Sequence, residues 1–208
     1  MILVGQYDSP FVRRVGIALT LYGLPFEHRP WSVFGDADRI RPHNPLTRVP
    51  TLLLDDGLAL LESHCILDHL DGLVGPERAL FPQGGMPRAR ALRASALAMG
   101  MAEKAVALFY ELRLHQQVSP VWVERCRLQI RSVAEVLQAE RAASAHEWWL
   151  GERLRHADVA LAVALRFTTD AHPGLLAMAE LPALASHAAR METIPVFQSV
   201  SQPFIPPS

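Results

Sequence analysis

Residues 2–31, ILVGQYDSPFVRRVGIALTLYGLPFEHRPW, carry the signals of a strand, a helix and a second strand. The apolar run at 2–7 is typical of a buried strand, and Ser9-Pro10 is a strong helix start because serine caps the first turn and proline needs no donor there. Apolar side chains then recur at helical spacing, at Val15, Ala18, Leu19 and Tyr22. Gly23 ends the helix, and a second strand is expected at 26–31. Together these elements predict a right-handed parallel β-α-β unit.

Residues 51–61, TLLLDDGLALL, predict a β-hairpin that turns at Asp56-Gly57. The stretch from 32 to 50 has no regular period. After the hairpin, Ser63 is expected to cap a helix that has one apolar face and ends near Gly75-Pro76. The order read from the residues is therefore β-α-β, an irregular segment, and β-β-α.

Every convincing signal after the Pro/Gly-rich break at 82–87 is helical. A long helix is expected from 87 to about 115, and Ser119-Pro120 starts another. The segment 158–165 is apolar on all sides, which predicts a helix buried among others. A last helix follows Pro182, and the later prolines leave an irregular tail, at Pro203, Pro206 and Pro207. The break at 82–87 therefore separates two predicted domains.

The composition of the 208 residues excludes several classes of protein. Half of the residues are hydrophobic and the net charge is -1, so a packed core is expected and disorder is not. No apolar run approaches the roughly 18 to 20 residues that span a bilayer, and the first residues lack the basic region of a secretory signal, so a cytoplasmic protein is expected. Neither half concentrates basic residues as a nucleic-acid surface would. Cys65 and Cys126 lack the spacing of a disulfide framework, and His64 and His69 lack that of a metal site, so no metal is expected.

Four short motifs and an all-helical second half follow one another along the chain. The motifs are YDSPFVRRV at 7–15, NPLTRVP at 44–50, LES at 61–63 and GERLRHAD at 151–158. In this order and spacing they resemble the soluble glutathione transferase family over nearly the whole chain. The resemblance implies an α/β thioredoxin-like domain with a mixed sheet in the order β-α-β-α-β-β-α, followed by an all-α helical bundle. We place the first domain at 1–78, a linker at 79–86 and the helical domain at 87–208.

Ser9 is the predicted activator of the glutathione thiol, by resemblance to the serine-type, bacterial-like members of the family. A helix N-terminus carries partial positive charge, and a serine hydroxyl there can donate to sulfur while it also caps the helix. Lowering a thiol pKa by about two requires about 2.7 kcal/mol of preference for the anion, which one charge-assisted hydrogen bond and the helix dipole can supply. Arg13 completes the Ser-x-x-x-Arg spacing of those members.

Two other classes of the family offer alternatives to this assignment. Some use a tyrosine near the end of the first strand, which makes Tyr7 a candidate, although its ring could equally be strand packing. Others place a cysteine before Pro-Phe, where this chain has Ser9. The serine disfavours a mixed-disulfide mechanism, because that mechanism needs a protein thiolate.

The resemblance assigns six residues to the glutathione site: Phe11, Arg48, Val49, Pro50, Glu62 and Ser63. Val49-Pro50 matches the cis-proline position of the family, where the Val49 peptide groups would bind the cysteinyl backbone like an added strand. Ser63 would meet the γ-glutamyl carboxylate at a helix start, and Glu62 would pair with the ammonium group. Arg48 is assigned to the glycyl carboxylate, and His43 is a less specific candidate. The plainer alternative for Pro50 is a trans proline in a loop. For Glu62-Ser63 it is a helix-capping pattern, and for Arg48 it is a surface salt bridge.

The resemblance also implies an electrophile pocket to which both domains contribute. The predicted residues are Trp31 and Phe34 from the first domain, and Phe109, Tyr110 and Arg113 from the long helix. The alternative for each of these residues is a place in the hydrophobic core. Their mixed aromatic and cationic character is compatible with an apolar electrophile and also with an anionic one.

The motif at 151–158 departs from the family. Relatives carry Ser or Thr four residues after the glycine, whereas here Arg155 stands between the retained Gly151 and Asp158. Arginine cannot accept the N–H bond of the first turn, so the helix is expected to lose about 1 kcal/mol or to take that bond from elsewhere. Asp158 is predicted to be structural rather than catalytic.

The predicted function is that of a glutathione transferase, with glutathione as co-substrate, a small electrophile as second substrate and a role in detoxification. Relatives are usually homodimers, so a homodimer is expected. One alternative is a glutathione-dependent isomerase or dehalogenase, which shares the first step. Another is a non-catalytic glutathione-transferase-like binding protein. No nucleic-acid or membrane partner is expected.

Overall fold

The computed structural model of the protein describes residues 1–206, so Pro207 of the predicted tail lies outside the described residues, as does Ser208. The contacts divide the chain into two units. Met1–Gln83 and the chain from Ile194 onward form the first unit, and Gly84–Thr193 forms the second. The division after Gln83 falls within the predicted linker. The segment from Ile194, which we expected in the helical domain, groups with the first unit because buried groups of that unit bind its carbonyl oxygens.

A four-stranded mixed sheet forms the centre of the first unit, in the order β2-β1-β3-β4. The strands are β1 (Ile2–Val4), β2 (Glu27–Arg29), β3 (Thr51–Leu53) and β4 (Ala59–Leu61). β1 is parallel to β2, as the β-α-β pattern predicts, and antiparallel to β3. β3 and β4 form the predicted hairpin, whose Gly57 has the positive φ of 91° that such a turn requires.

The helices of the first unit are α1 (Pro10–Tyr22), α2 (Ala37–Ile40) and α3 (Ser63–Val74). The short α2 lies in the stretch that has no regular period, and the thioredoxin-like order implied by the resemblance includes it. The predicted cap of α3 is displaced by one residue: Glu62 is the N-cap and Ser63 is already helical. Glu62 turns the chain with a φ of 62°, which leaves Ser63 as the first residue of the helix. α1 and α3 pack their apolar faces together in the core, through residues that include Val12, Val15, Ile66 and Leu70.

The second unit is helical and contains α4 (Gly85–Leu114), α5 (Pro120–Ala142), α6 (His156–Ala171) and α7 (Pro182–Glu192). A 3-10 turn at Met178–Glu180 precedes α7. α6 is buried on all sides from His156 to Leu165, as the apolar segment predicts, and it contacts α4 and α7. A further short helix, α8 (Pro195–Ser199), follows in the first unit and was not predicted. Within residues 1–206, every helix is too short or too polar to span a lipid bilayer.

The start of α6 shows how the chain compensates for Arg155. Asp158 is fully buried, and its two carboxylate oxygens accept the N–H groups of Trp149 at 2.8 Å and Arg155 at 2.9 Å. Burial raises the pKa of Asp158, while these two N–H groups act in the opposite direction. A guanidinium has only donors, so the N–H of Asp158 in the first turn is accepted by the carbonyl oxygen of Arg155 instead, at 3.0 Å. The Asp158 carboxylate ties the residues before the helix to its start, in agreement with a structural role.

His187 on α7 makes the second unit sensitive to acid. Its buried Nε2 lies 3.1 Å from the carbonyl oxygen of Asp158, and burial lowers the pKa of His187 to about 4. The unfolded chain therefore binds this proton more readily than the folded protein, and stability is lost as the pH falls below about 6.5. We expect the free energy of unfolding to drop by about 2 kcal/mol between about pH 7 and about pH 5 from this residue alone.

Thermal unfolding across this pH range measures the effect of His187. The His187→Gln variant cannot titrate, so its melting temperature should fall less steeply towards acid pH. His146→Gln, at an exposed position, is the matched control and should keep the slope of the parent protein. If the melting temperature of His187→Gln falls with pH as steeply as that of the parent protein, His187 is not the source of the acid sensitivity.

Candidate functional site

The first unit contains an open cleft. Its walls come from the first turn of α1, the loop before β3, and the junction of β4 with α3. The lining residues are Phe11, Asn44, Leu46, Arg48, Val49, Pro50, Leu61, Glu62 and Ser63. All six residues assigned to glutathione from the sequence line this one cleft, together with three to which no role was assigned.

Asn44 braces the loop that forms one wall of the cleft. Its side chain is buried, and its Nδ2 donates to the carbonyl oxygen of Arg48 at 2.8 Å and to Oγ1 of Thr51 at 3.1 Å. Its Oδ1 accepts the N–H of Leu46 at 3.0 Å. Thr51 Oγ1 also donates to the Arg48 carbonyl oxygen. This network fixes the backbone on both sides of Arg48.

Val49 presents its peptide groups at the cleft. The Val49-Pro50 bond is cis, as the family position predicts. Among residues 1–206, no hydrogen bond joins the N–H or C=O of Val49 to another part of the protein. The loop at Val49 lies close to the backbone of Gly5, which only glycine permits. A Cβ on Gly5 would lie 2.8 Å from the Cβ of Val49, and the Gly5 φ of 127° suits only glycine. The backbone of Val49 is therefore placed to receive an extended segment.

Glu62 and Ser63 form the opposite wall. A φ of 62° is uncommon for a residue other than glycine, and such strained backbone often accompanies functional sites. Ser63 is 2% exposed and begins α3, where the first N–H groups of the helix have no partner within the helix. This end of the cleft therefore favours an anionic group.

Two opposite charges meet at the cleft. Nη1 of Arg48 lies 3.1 Å from Oε1 of Glu62, and more than half of each side chain is exposed. An ion pair so accessible to water contributes little to stability, so the two groups can be separated at small cost.

Ser9 stands at the N-terminus of α1, two residues before Phe11 of the cleft. It is half-buried, and its Oγ accepts the N–H of Val12 at 3.5 Å, which is long for such a bond. The cap is therefore weak, and the hydroxyl hydrogen is available for donation. Ser9 does not itself line the cleft.

Tyr7 packs away from the start of α1. Its ring stacks on His28 with centroids 3.8 Å apart, and a Cβ on Gly16 would lie 2.7 Å from its Cε1 atom. Burial raises the pKa of Tyr7 to about 12, so the phenol stays protonated. The geometry favours the packing alternative for Tyr7 over a role at the cleft.

Arg13 and His43 do not line the cleft. Arg13 is 3% exposed, and it donates through Nε and Nη2 to carbonyl oxygens of the C-terminal segment. In the structure, Arg13 therefore anchors that segment to α1. His43 lies beside Trp31, with ring centroids 6.4 Å apart.

The electrophile candidates are placed in their separate units. In the first, Trp31 is half-buried with the Arg29 guanidinium 5.4 Å from its ring centre, and Phe34 is 47% exposed. The others follow one another on α4 of the second unit, at Phe109, Tyr110 and Arg113. The rings of Phe109 and Tyr110 are half-buried and in contact, and Arg113 is exposed. Among residues 1–206, no group of three or more His, Cys, Asp or Glu side chains is arranged to hold a metal ion.

Two family models match the chain. The glutathione S-transferase N-terminal domain matches residues 3–78, and the glutathione S-transferase C-terminal domain matches residues 120–190. The chain belongs to the glutathione S-transferase family. Among curated glutathione S-transferases, U4 of Arabidopsis thaliana is 30% identical over 119 residues, which are 57% of this chain and 46% of that protein. The match thus spans less than half of that relative's length.

Two solved structures of the glutathione transferase family cover almost the whole chain. The glutathione S-transferase of Methylobacterium radiotolerans, in complex with glutathione sulfonate, has a TM-score of 0.88 and 29% identity over 98% of this chain and 97% of its own. A member from Pseudomonas fluorescens Pf-5, with bound S-(propanoic acid)-glutathione, has a TM-score of 0.83 and 30% identity over 97% of this chain and 99% of its own. The predicted family and fold class are confirmed, while a serine-type site stays a prediction.

Proposed function

We propose that the cleft binds glutathione and that the protein is a glutathione transferase, which activates the thiol for attack on a small and largely apolar electrophile. The convergence on one cleft of the six residues that the sequence assigned to glutathione carries this proposal. The glutathione derivatives held by the two solved relatives support it.

The charges at the cleft match the two ends of the tripeptide. The γ-glutamyl carboxylate accepts from the Ser63 hydroxyl and from the first N–H groups of α3, and its ammonium group pairs with Glu62. The glycyl carboxylate pairs with Arg48. Binding therefore exchanges one exposed ion pair of the protein for two pairs with the ligand, which compensates for the separation of Arg48 from Glu62.

The central residue of glutathione lies along Val49. Its N–H and C=O pair with the peptide groups of Val49 in the manner of an added strand. This pairing directs the cysteinyl sulfur towards the N-terminus of α1, where the helix dipole and the Ser9 hydroxyl stabilise the thiolate. The hydroxyl donates to the sulfur, and no protein base removes its proton.

The thiol proton passes to solvent water, and the thiolate forms a C–S bond with an electrophilic carbon. An aryl halide loses its halide ion in this step, whereas an enone takes the electron pair on its oxygen and a proton from water. Trp31, Phe34, Phe109, Tyr110 and Arg113 stay the predicted contacts of that substrate. The thioether held by the Pseudomonas relative carries a carboxylate on its sulfur substituent, which supports an anionic electrophile beside an apolar one. We assign Arg113 as the cation that pairs with the negative charge of such an electrophile. A glutathione-dependent isomerase or dehalogenase would use the same activated thiolate. A cytoplasmic location, a role in detoxification and a homodimer stay predictions, the last of which light scattering in solution would measure.

Calorimetric titration with glutathione tests the binding proposal. Ser63→Ala removes a hydrogen bond to a charged group, so we expect glutathione affinity to fall about tenfold or more. Ser9→Ala is the matched control, because Ser9 meets the sulfur and not the ends of the tripeptide, and it should bind glutathione within about threefold of the parent protein.

The same titration separates the alternatives. Absence of glutathione binding by the parent protein would contradict the proposal and the related enzyme activities together. Binding without turnover of aryl halides, enones and maleyl-type acids would favour the non-catalytic binding protein.

A further inference from the structure

The C-terminal segment, residues 194–206, is attached to the helix that begins with Ser9. Arg13 lies one turn into α1, and its Nε donates to the carbonyl oxygen of Val200 at 2.9 Å. Its Nη2 donates to the carbonyl oxygen of Phe197 at 2.8 Å, and its guanidinium lies 5.7 Å from the centre of the Phe197 ring. The segment therefore holds α1 from the side of its first turn.

The same segment holds the turn that precedes Ser9. Oε1 of Gln202 accepts the N–H of Tyr7 at 2.9 Å, and Oδ2 of Asp8 accepts the N–H of Ile205 at 3.1 Å. Within that turn, the N–H of Ser9 donates to the carbonyl oxygen of Gln6 at 3.2 Å. Both residues immediately before Ser9 are thus bound to a segment almost 200 positions away.

None of these bonds involves a residue that lines the cleft. The walls that meet the two ends of the tripeptide are built from the loop before β3 and from the start of α3. The position of Ser9, by contrast, depends on α1 and on the turn at 6–9. The segment is therefore placed to affect the hydroxyl without affecting the contacts to the two ends of the tripeptide.

We propose that the C-terminal segment is a positioning element for the Ser9 hydroxyl, and that Gln202 is a positioning residue for activation of the thiol. The inference rests on the proposed function, in which Ser9 donates to the sulfur. A hydrogen bond weakens steeply as its distance and angle depart from the optimum. Release of the Tyr7 N–H loosens the turn, so the hydroxyl spends less time in the donating geometry.

Three substitutions in the full-length protein test this inference. Gln202→Met removes the acceptor at nearly constant size, Gln202→Glu keeps an acceptor at the same place, and Ser201→Ala is the neighbouring control. Among residues 1–206, the Ser201 side chain has no hydrogen bond. The readouts are the ultraviolet absorption of the thiolate of bound glutathione, the kinetics with an aryl halide, and the exchange rate of the Tyr7 amide.

In Gln202→Met we expect about a fivefold loss of thiolate at neutral pH and a matching loss of kcat, with unchanged glutathione affinity and faster exchange at Tyr7. Gln202→Glu should restore most of the loss, and Ser201→Ala should behave as the parent. Parent-like thiolate absorption and kcat in Gln202→Met, in a protein whose Ser9→Ala variant has lost them, would overturn this inference alone. Absence of thiolate in the parent protein, or its persistence in Ser9→Ala, would overturn the thiol activation on which the inference rests.

Discussion

Replacing Ser9 by alanine lowers kcat for conjugation of an aryl halide about 30-fold at neutral pH, while the affinity for glutathione stays within about threefold. The reason is the loss of the donor that holds the thiolate, which returns the thiol pKa towards its value in solution. At neutral pH, a rise of about two in a thiol pKa that starts just below 7 leaves about one thirtieth of the thiolate. Steady-state kinetics beside calorimetry measures both effects.

Two further substitutions serve as controls for Ser9→Ala. Ser9→Thr keeps a hydroxyl and a capping group, so it should retain most of kcat. Tyr7→Phe should also retain it, because the Tyr7 ring packs between His28 and Gly16. A large loss in Tyr7→Phe together with a small loss in Ser9→Ala would assign activation to the tyrosine.

Asp158→Ala is the substitution with the largest expected effect on stability, a loss of about 3 to 5 kcal/mol in the free energy of unfolding. The carboxylate is fully buried and accepts two backbone N–H groups, those of Trp149 and Arg155. Alanine leaves both donors without their acceptor, and each buried unsatisfied group costs about 1 to 3 kcal/mol. Chemical denaturation measures the loss.

Asp170→Ala is the matched control for Asp158→Ala. Asp170 is also on α6, but it forms a partly exposed ion pair with Arg166 at 2.5 Å. Its removal should cost less than about 1 kcal/mol. Equal losses of unfolding free energy in the two variants would show that the bonds accepted by Asp158 stabilise the helix start no more than an exposed ion pair does.

The elements of the fold were predictable where local chemistry determines them. Ser9-Pro10 and Ser119-Pro120 begin α1 and α5 as predicted, and Gly57 closes the hairpin, because caps and turns depend on a few adjacent residues. α8 and its place in the first unit were missed. They depend on Arg13, whose bonds reach residues 184 and 187 positions away, and no periodic pattern signals such a contact.

The cleft was predictable for a different reason. Apart from Phe11 in the motif at 7–15, its residues lie in two short motifs, at 44–50 and 61–63, that the resemblance to the family identified. The hairpin between these two motifs brings them together. Asn44 had no predicted role, because its bond to Arg48 lies in an irregular loop, where no periodic pattern indicates which side chain binds the backbone. Arg155 is the converse case: the sequence indicated a missing side-chain acceptor, and in the structure the carbonyl oxygen of Arg155 accepts the first-turn N–H of Asp158 instead.

The proposed function requires that the first unit binds glutathione and that Ser9 lowers the pKa of its thiol. Ultraviolet titration of bound glutathione, in the parent protein and in Ser9→Ala, tests this most directly. We predict that the bound thiol ionises with a pKa about two below that of free glutathione, and that Ser9→Ala abolishes this difference. Saturating glutathione without thiolate absorption at neutral pH, or absorption that persists in Ser9→Ala, would contradict the account.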